Sequence, residues 1–302
     1  MSSYNIETWQ RISEKMIETQ WKKDSLWTKP AFQVVILTNN NEETITPALE
    51  SVEKSIKNFH KDCKWILQIG DNESEDQSLL KISQYALESS ADKIHLYDFD
   101  KEEKRGVNEN KLIKELHKYG EEYPAVLFME AGGEMLEERP MMFYTAASYN
   151  APYVVGGWAS KFTDNYKSSD DAAYKLQFGP WATLFHISAL PKDGKFFYET
   201  INKGRDVLAW TQMRYIEDKE PVAHVRSEDI VHIYDYSDIE NKNNTGTSLL
   251  FQKQEITNEA PEPNMSFEEM MSEQEQEEEN KNFLNMKSQL ESRHDILKYV
   301  AQ

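Results

Sequence analysis

The chain has 302 residues, 39% of them hydrophobic and 12% aromatic, which is enough apolar material for one large domain and excludes global disorder. Its formal net charge of −19 and sequence pI of about 4.9 disfavour non-specific nucleic-acid binding, because like charges repel at long range. The one cysteine, Cys63, excludes an intramolecular disulfide framework and a cysteine-rich zinc site.

Ile6, Trp9, Ile12, Met16 and Ile17 recur at helical spacing and predict an amphipathic helix lying on the core, ended before Lys29–Pro30. Nothing near Met1 resembles a cationic start followed by an apolar block, so no signal peptide is expected, and the single thiol fits a cytoplasmic location. Phe32–Leu37 is a short β-rich run of the kind buried on both faces of a parallel sheet. A polar turn, Thr38–Asn41, leads into a helix over Glu42–Asn58 with Ile45, Leu49, Val52 and Ile56 on one face. Cys63 precedes an apolar run and reads as a small buried hydrophobe rather than a reactive thiol. Trp65–Ile69 is a second strand, Gly70–Ser74 a second turn and Gln77–Leu87 a second helix. Lys93–Phe99, Asn108–Tyr119 and Ala125–Met129 predict a third strand, a third helix and a fourth strand.

This alternation argues for βαβ units and a parallel sheet. Ligands bind beyond the carboxyl ends of such strands, so Thr38–Asn41, Gly70–Asp76 and Glu130–Glu134 are expected to converge on one cleft. Further on, Tyr153–Trp158 and Trp181–His186 read as strands, Lys161–Lys175 as a polar mobile loop and Arg205–Ile216 as a helix. Val222–Val225 and Ile230–Tyr234 are short closing strands. The expected organisation is a helical segment over 1–30, the α/β domain over 31–240, a linker over 241–265 and an acidic helical tail over 266–302. The tail's stripe of Phe283, Met286, Leu290 and Leu297 docks by one face or serves an oligomer contact. No window approaches the roughly 18 uninterrupted apolar residues of a membrane span.

Two of these turns carry a pattern. Leu37-Thr38-Asn39-Asn40-Asn41-Glu42 is followed by Leu49-Glu50-Ser51-Val52; after the second strand comes Asp71-Asn72-Glu73-Ser74-Glu75-Asp76-Gln77-Ser78. Together they resemble the glycosyltransferase family 2 group, in which a Pro-Thr-Tyr-Asn-like turn and an Asp-Asn-Gly-Ser-Thr-Asp-Gly-Ser-like turn follow the first two strands. Thr38, Asn40, Asp71, Asn72, Ser74, Asp76 and Ser78 match; the proline and tyrosine of the first turn are replaced. Arg105-Gly106-Val107-Asn108, Glu130-Ala131-Gly132-Gly133-Glu134 and Gly204-Arg205-Asp206 resemble later family segments, so the likeness runs from about Phe32 to Tyr236. It implies an α/β GT-A fold, Rossmann-like, with a mostly parallel central sheet flanked by helices.

The resemblance implies that Thr38, Asn40, Asp71, Asn72, Asp76, Arg105, Asn108, Glu130 and Ala131 bind a nucleotide-sugar donor of UDP type. The alternative for Asp71-Asn72 is a turn former and helix cap. It further implies Mn²⁺ or Mg²⁺ on the diphosphate, since hard cations take oxygen ligands. Here Glu130 replaces the family's first aspartate and Gly132 stands at the usual direct ligand. A site rebuilt from Glu130, Glu134 and His232 is one reading; weakened or absent metal binding is the other. Asp206 is the implied base for a hydroxyl acceptor, against the alternative of a carboxylate favouring a helix N-terminus. Trp181 and Trp158 are candidates for an acceptor-stacking face, against plain core packing. The leading functional reading is sugar transfer to a hydroxyl acceptor with inversion. A second is a binding or scaffold protein of the same fold that has lost catalysis. A third is a nucleic-acid-modifying transferase, which the acidity opposes.

Overall fold

The computed structural model describes residues 26–27, 30–59, 63–99, 105–136, 139–160, 166–167, 180–197, 199, 223–224 and 230–234, with the backbone alone at 105, 130, 140–141, 157–160, 166–167, 180, 223–224 and 230–234. The helix expected over 6–17, the helix over 205–216 with Asp206, the linker and the acidic tail lie outside these residues, as does the 161–175 loop apart from Tyr166–Lys167.

Three βα units open the domain: β1 (Ala31–Thr38), α1 (Ile45–Phe59), β2 (Lys64–Asp71), α2 (Ser78–Glu88), β3 (Lys93–Asp98) and α3 (Arg105–Leu116). β4 (Ala125–Glu130) and the three-residue β5 (Gly133–Met135) follow, then α4 (Pro140–Tyr149). The second half contributes β6 (Tyr153–Val155), β7 (Gly157–Ser160), β8 (Tyr166–Lys167), β9 (Thr183–His186), β10 (Ala223–His224) and β11 (Ile230–Tyr234). Among the described residues, seven strands form the main sheet in the order β10-β6-β9-β4-β1-β2-β3, and β5-β11-β7-β8 form a smaller one. Only β9 runs antiparallel to its neighbours in the main sheet.

Helices cover both faces. On one, α1 turns Ile45, Leu49, Val52 and Ile56 into a core shared with Val34, Ile36, Leu67, Met129 and, from α4, Phe143. On the other, Leu112, Ile113 and Leu116 of α3 meet Val35, Val126, Phe128 and the Phe196–Phe197 pair. Alternate side chains of β1 therefore enter opposite cores, which explains the apolar run Val34–Leu37; the buried Gln33 before it donates to the Leu116 and Tyr123 carbonyls and accepts from Gln68 Nε2. Trp27 is buried against Phe143 and His186, and its indole donates to the Ala151 carbonyl at 2.8 Å. Cys63 is half-buried and donates to the Pro30 carbonyl at 3.2 Å, with burial pushing its thiol up.

Several features depart from the sequence expectation, among them the short strands β5 and β8, the latter within the span expected to be a loop. α4 was not anticipated, because Pro140–Tyr149 carries no charge and so shows no amphipathic period. The single strand expected over Tyr153–Trp158 is two strands. They break at Gly156, whose amide donates to the Ala182 carbonyl at 2.9 Å, and Gly157 onward joins the second sheet. Trp181–Ala182 belong to a 3₁₀ turn and the strand begins at Thr183.

Candidate functional site

The sheet order positions the cleft. From β1 the chain moves outward to β2 and β3, then α3 carries it back over the opposite face to β4, on the other side of β1. Connections after β1 and β3 thus leave on different faces, and the crevice opens where Leu37 at the end of β1 pairs with Glu130 at the end of β4. Thr38 stands opposite Asp71, and Asp71 opposite Asp98, so three strand ends meet at one sheet edge.

The first two loops are tied together. Asn40 is exposed with φ +52°. Its amide donates to Ser74 Oγ at 2.9 Å, and its Oδ1 accepts from the Glu75 amide at 2.8 Å. The Asn41 amide donates to Ser78 Oγ at 2.8 Å, the Glu42 amide to Asp76 Oδ2 at 2.9 Å, and the Gln77 amide back to Glu42 Oε2 at 2.9 Å. Asn39 Nδ2 donates to the Asn72 carbonyl at 2.5 Å, and the Asn72 amide to the Thr38 carbonyl at 2.9 Å. Asp71 is buried, and both its oxygens accept from Ser74, one from the amide at 2.9 Å and one from the hydroxyl at 2.6 Å. Asp76 also accepts from the Ser78 amide at 2.9 Å. Partial burial pushes the Asp76 carboxyl up, but hydrogen bonds from Ser78 and the Glu42 backbone outweigh it and hold it below the ordinary 3.8.

Asn108, fully buried in α3, donates to Asn72 Oδ1 at 2.9 Å. This draws the Arg105–Asn108 segment to the second loop. Thr38, Asn40, Asp71, Asn72, Asp76 and Asn108 therefore form one connected group.

Glu130 ends β4 and Ala131 is buried in the following turn. Past Gly132, β5 enters the second sheet, where Glu134 stands opposite Ile233 and Met135 opposite His232. On its other side His232 stands opposite Trp158. The smaller sheet thus places Glu134, His232 and Trp158 just beyond β4, but Glu134 and His232 are one register step apart, positions that alternate between the two faces of a sheet. Trp181 is 4% exposed and packed in the core beneath β4. Asp206 lies outside the described residues.

Among the described residues no three of His, Cys, Asp and Glu gather as a metal cage, and Gly132 offers no ligand. Of the expected ligands Glu130, Glu134 and His232, Glu134 alone has a described side chain.

Two residues sequence reasoning missed frame the site. Asn110 of α3 clamps the later chain: its Oδ1 accepts from the Phe196 and Phe197 amides at 3.1 and 2.8 Å, and its Nδ2 donates to Glu199 Oε1 at 3.0 Å. Arg139 is 1% exposed at the start of α4. Asn110 reads in sequence as one more polar helix residue, and Glu137-Glu138-Arg139-Pro140 reads as surface charge.

No protein-family model matches the sequence, and no curated protein matches it. Solved structures do. The S. aureus TarS fragment 1–349 superposes with TM-score 0.55 at 15% identity, over 70% of this chain and 63% of that one. The same fragment in complex with UDP-GlcNAc gives 0.55 at 16% identity, over 68% and 58%. Mannosyltransferase PcManGT from Pyrobaculum calidifontis, in complex with GDP-Man and Mn²⁺, gives 0.49 at 12% identity, over 76% and 64%. The chain has the GT-A fold, the α/β architecture of nucleotide-sugar glycosyltransferases. It spans 63% of the TarS fragment and 37% of full-length TarS. Among the described residues, no helix is long and apolar enough to cross a membrane.

Proposed function

We propose that this protein is a nucleotide-sugar-dependent glycosyltransferase of family 2 type, working in the cytoplasm, that moves a sugar from a UDP-type donor to a hydroxyl acceptor with inversion. One observation carries the reading. Two polar loops that match the family pattern are locked together at the carboxyl edge of β1 and β2, beside the switch point with β4. TarS, of similar fold, binds UDP-GlcNAc and UDP at that class of architecture. In this reading Thr38, Asn40, Asp71 and Asn72 take the base and ribose, Asp76 and Asn108 hold their loops in place, and Glu130–Ala131 border the diphosphate. Asp206 accepts the proton of the acceptor hydroxyl, because a carboxylate within hydrogen-bond reach is an ordinary general base. Trp158 borders the acceptor side.

A second reading, a nucleotide-binding protein of this fold without catalysis, is favoured by Gly132 and by the extent to which the loop carboxylates already serve their own turns. A donor-hydrolysis screen across UDP-, GDP- and dTDP-sugars, run beside UDP titration, separates the two. Hydrolysis of a UDP-sugar supports the transferase; UDP binding without hydrolysis of any donor supports the second reading; no response to any nucleotide overturns both.

A further inference from the structure

Arg139 presents an electrostatic anomaly at the cleft. Its guanidinium lies at the carboxyl end of β4. Nη2 donates to the Phe128 carbonyl at 2.8 Å and reaches the Thr183 carbonyl of β9 at 3.4 Å, while Nη1 meets Met129 Sδ at 3.3 Å. Nε is buried with no acceptor. Among the described residues, two carbonyls and a thioether are all that this group touches, and none carries a charge. Burying a cation without a carboxylate is costly, and such groups are normally paired. Burial draws the guanidinium down to about 9, so it still carries its proton at neutral pH.

An uncompensated buried charge projects its field into whatever adjoins it. The Glu130–Gly133 turn adjoins it, starting two residues beyond the Phe128 carbonyl it binds. α4 adds a second source of the same sign, because Arg139 immediately precedes its first residue and the amino end of a ten-residue helix is its positive pole. The neighbouring loops and strand ends carry Asp71, Glu73, Asp76 and Asp98, against Lys81, which donates to the Glu42 carbonyl, and Lys111, which lies over the Phe99 ring. A nucleoside diphosphate approaching that edge requires a fixed positive charge from the protein or from a cation.

We infer that Arg139 is a positioning residue for the donor's phosphates: with the start of α4, it makes an electropositive floor beneath the β4–β5 turn that holds a diphosphate without a divalent cation. This rests on the nucleotide-sugar reading above and extends it. Arg139 acts through its field and through the turn, not by touching substrate. Gly132 suits this arrangement, since it adds no carboxylate to oppose the phosphates.

The test is calorimetric titration of the full chain with uridine and with UDP, in EDTA and again with Mn²⁺. In EDTA the wild type is expected to bind UDP about tenfold more tightly than uridine. Arg139→Met is expected to lose that advantage while uridine binding stays within about twofold, and Arg139→Lys is expected to keep most of it. A purely structural Arg139 would weaken uridine and UDP together, and that result overturns the inference. So does a wild type whose preference for UDP appears only with Mn²⁺; the nucleotide-sugar reading survives either outcome. Should Arg139→Met fail to fold, Arg139→Gln reads the same difference, since it keeps a donor for the Phe128 carbonyl without the charge. The wild-type comparison in EDTA needs no variant. Wild-type binding of neither uridine nor UDP, with Mn²⁺ present or absent, would overturn the nucleotide-sugar reading and this inference with it.

Discussion

Glu53 sits on the outer side of α1 and fastens α2 to it. Tyr85 donates to its Oε2 at 2.6 Å, the Ser90 amide to its Oε1 at 3.0 Å, and Lys57 pairs with it at 2.5 Å. Burial alone would raise its pKa; the bonds from Lys57, Tyr85 and Ser90 outweigh it and lower the carboxyl from 4.5 to about 2. A depressed carboxylate stabilises the fold fully above its unfolded value, and the contribution fades as pH falls from about 4.5 through about 2. Glu53→Gln is therefore expected to cost on the order of 1 kcal/mol at pH 7. Its unfolding midpoint should converge on the wild type's as both are measured toward pH 2 to 3, the range near its folded pKa of about 2. A gap that persists at low pH would mean the pair contributes through packing instead. Asp206 poses the functional question at the same scale. Asp206→Asn keeps the shape and removes the base, so transfer is expected to fall by about 10²-fold or more with UDP affinity nearly unchanged. Undiminished transfer would defeat the assignment.

At the level of elements, the two loops behave as one latch. Asp76 receives amides from both sides of the junction, Glu42 from the first loop and Ser78 from its own. Asp76→Ala strips both acceptors and is expected to cost about 1–2 kcal/mol and to weaken UDP binding, measured by denaturant unfolding and titration. Stability lost without any change in UDP affinity would separate the latch from the site. The end of β2 is as tightly constrained. A Cβ at Gly70 would lie 2.6 Å from Phe99 Cε2 and 2.9 Å from both Leu112 Cδ1 and Leu37 Cδ1, so Gly70→Ala is expected to destabilise by about 1–3 kcal/mol. The βα units around this latch were legible in the sequence because each has its own period: apolar runs broken by one buried glutamine in β1 and β2, an unbroken one in β4, one apolar face in α1. So was the convergence of the first two loops on one sheet edge, since polar turns after parallel strands collect at their carboxyl ends. α4 and β5 were not legible. One has no polar face to set a period, and the other is three residues long and takes its partner from 97 to 101 residues away in β11. Arg139 was invisible for a related reason: its burial is imposed by β4, β9 and α4 closing together, and nothing in its neighbours along the chain announces that.

Across the whole molecule, helices cover both faces of the main sheet. The apolar stripe at Phe283, Met286, Leu290 and Leu297 is expected either to dock on the domain by one face or to serve an oligomer contact. Truncation after Asn258 separates the possibilities. If the tail is accessory to the fold, the shortened protein keeps its unfolding midpoint within about 2 °C, since about 1 kcal/mol corresponds to roughly 2–4 °C in a domain of this size. Its UDP response should also be unchanged. If the stripe is an oligomer contact, the midpoint at low protein concentration again stays put, but the sedimentation coefficient falls on truncation, because association energy depends on concentration and folding energy does not. A midpoint that drops by about 5 °C or more at every concentration would instead make the tail part of the cooperative unit, and the α/β domain would not be complete at residue 240.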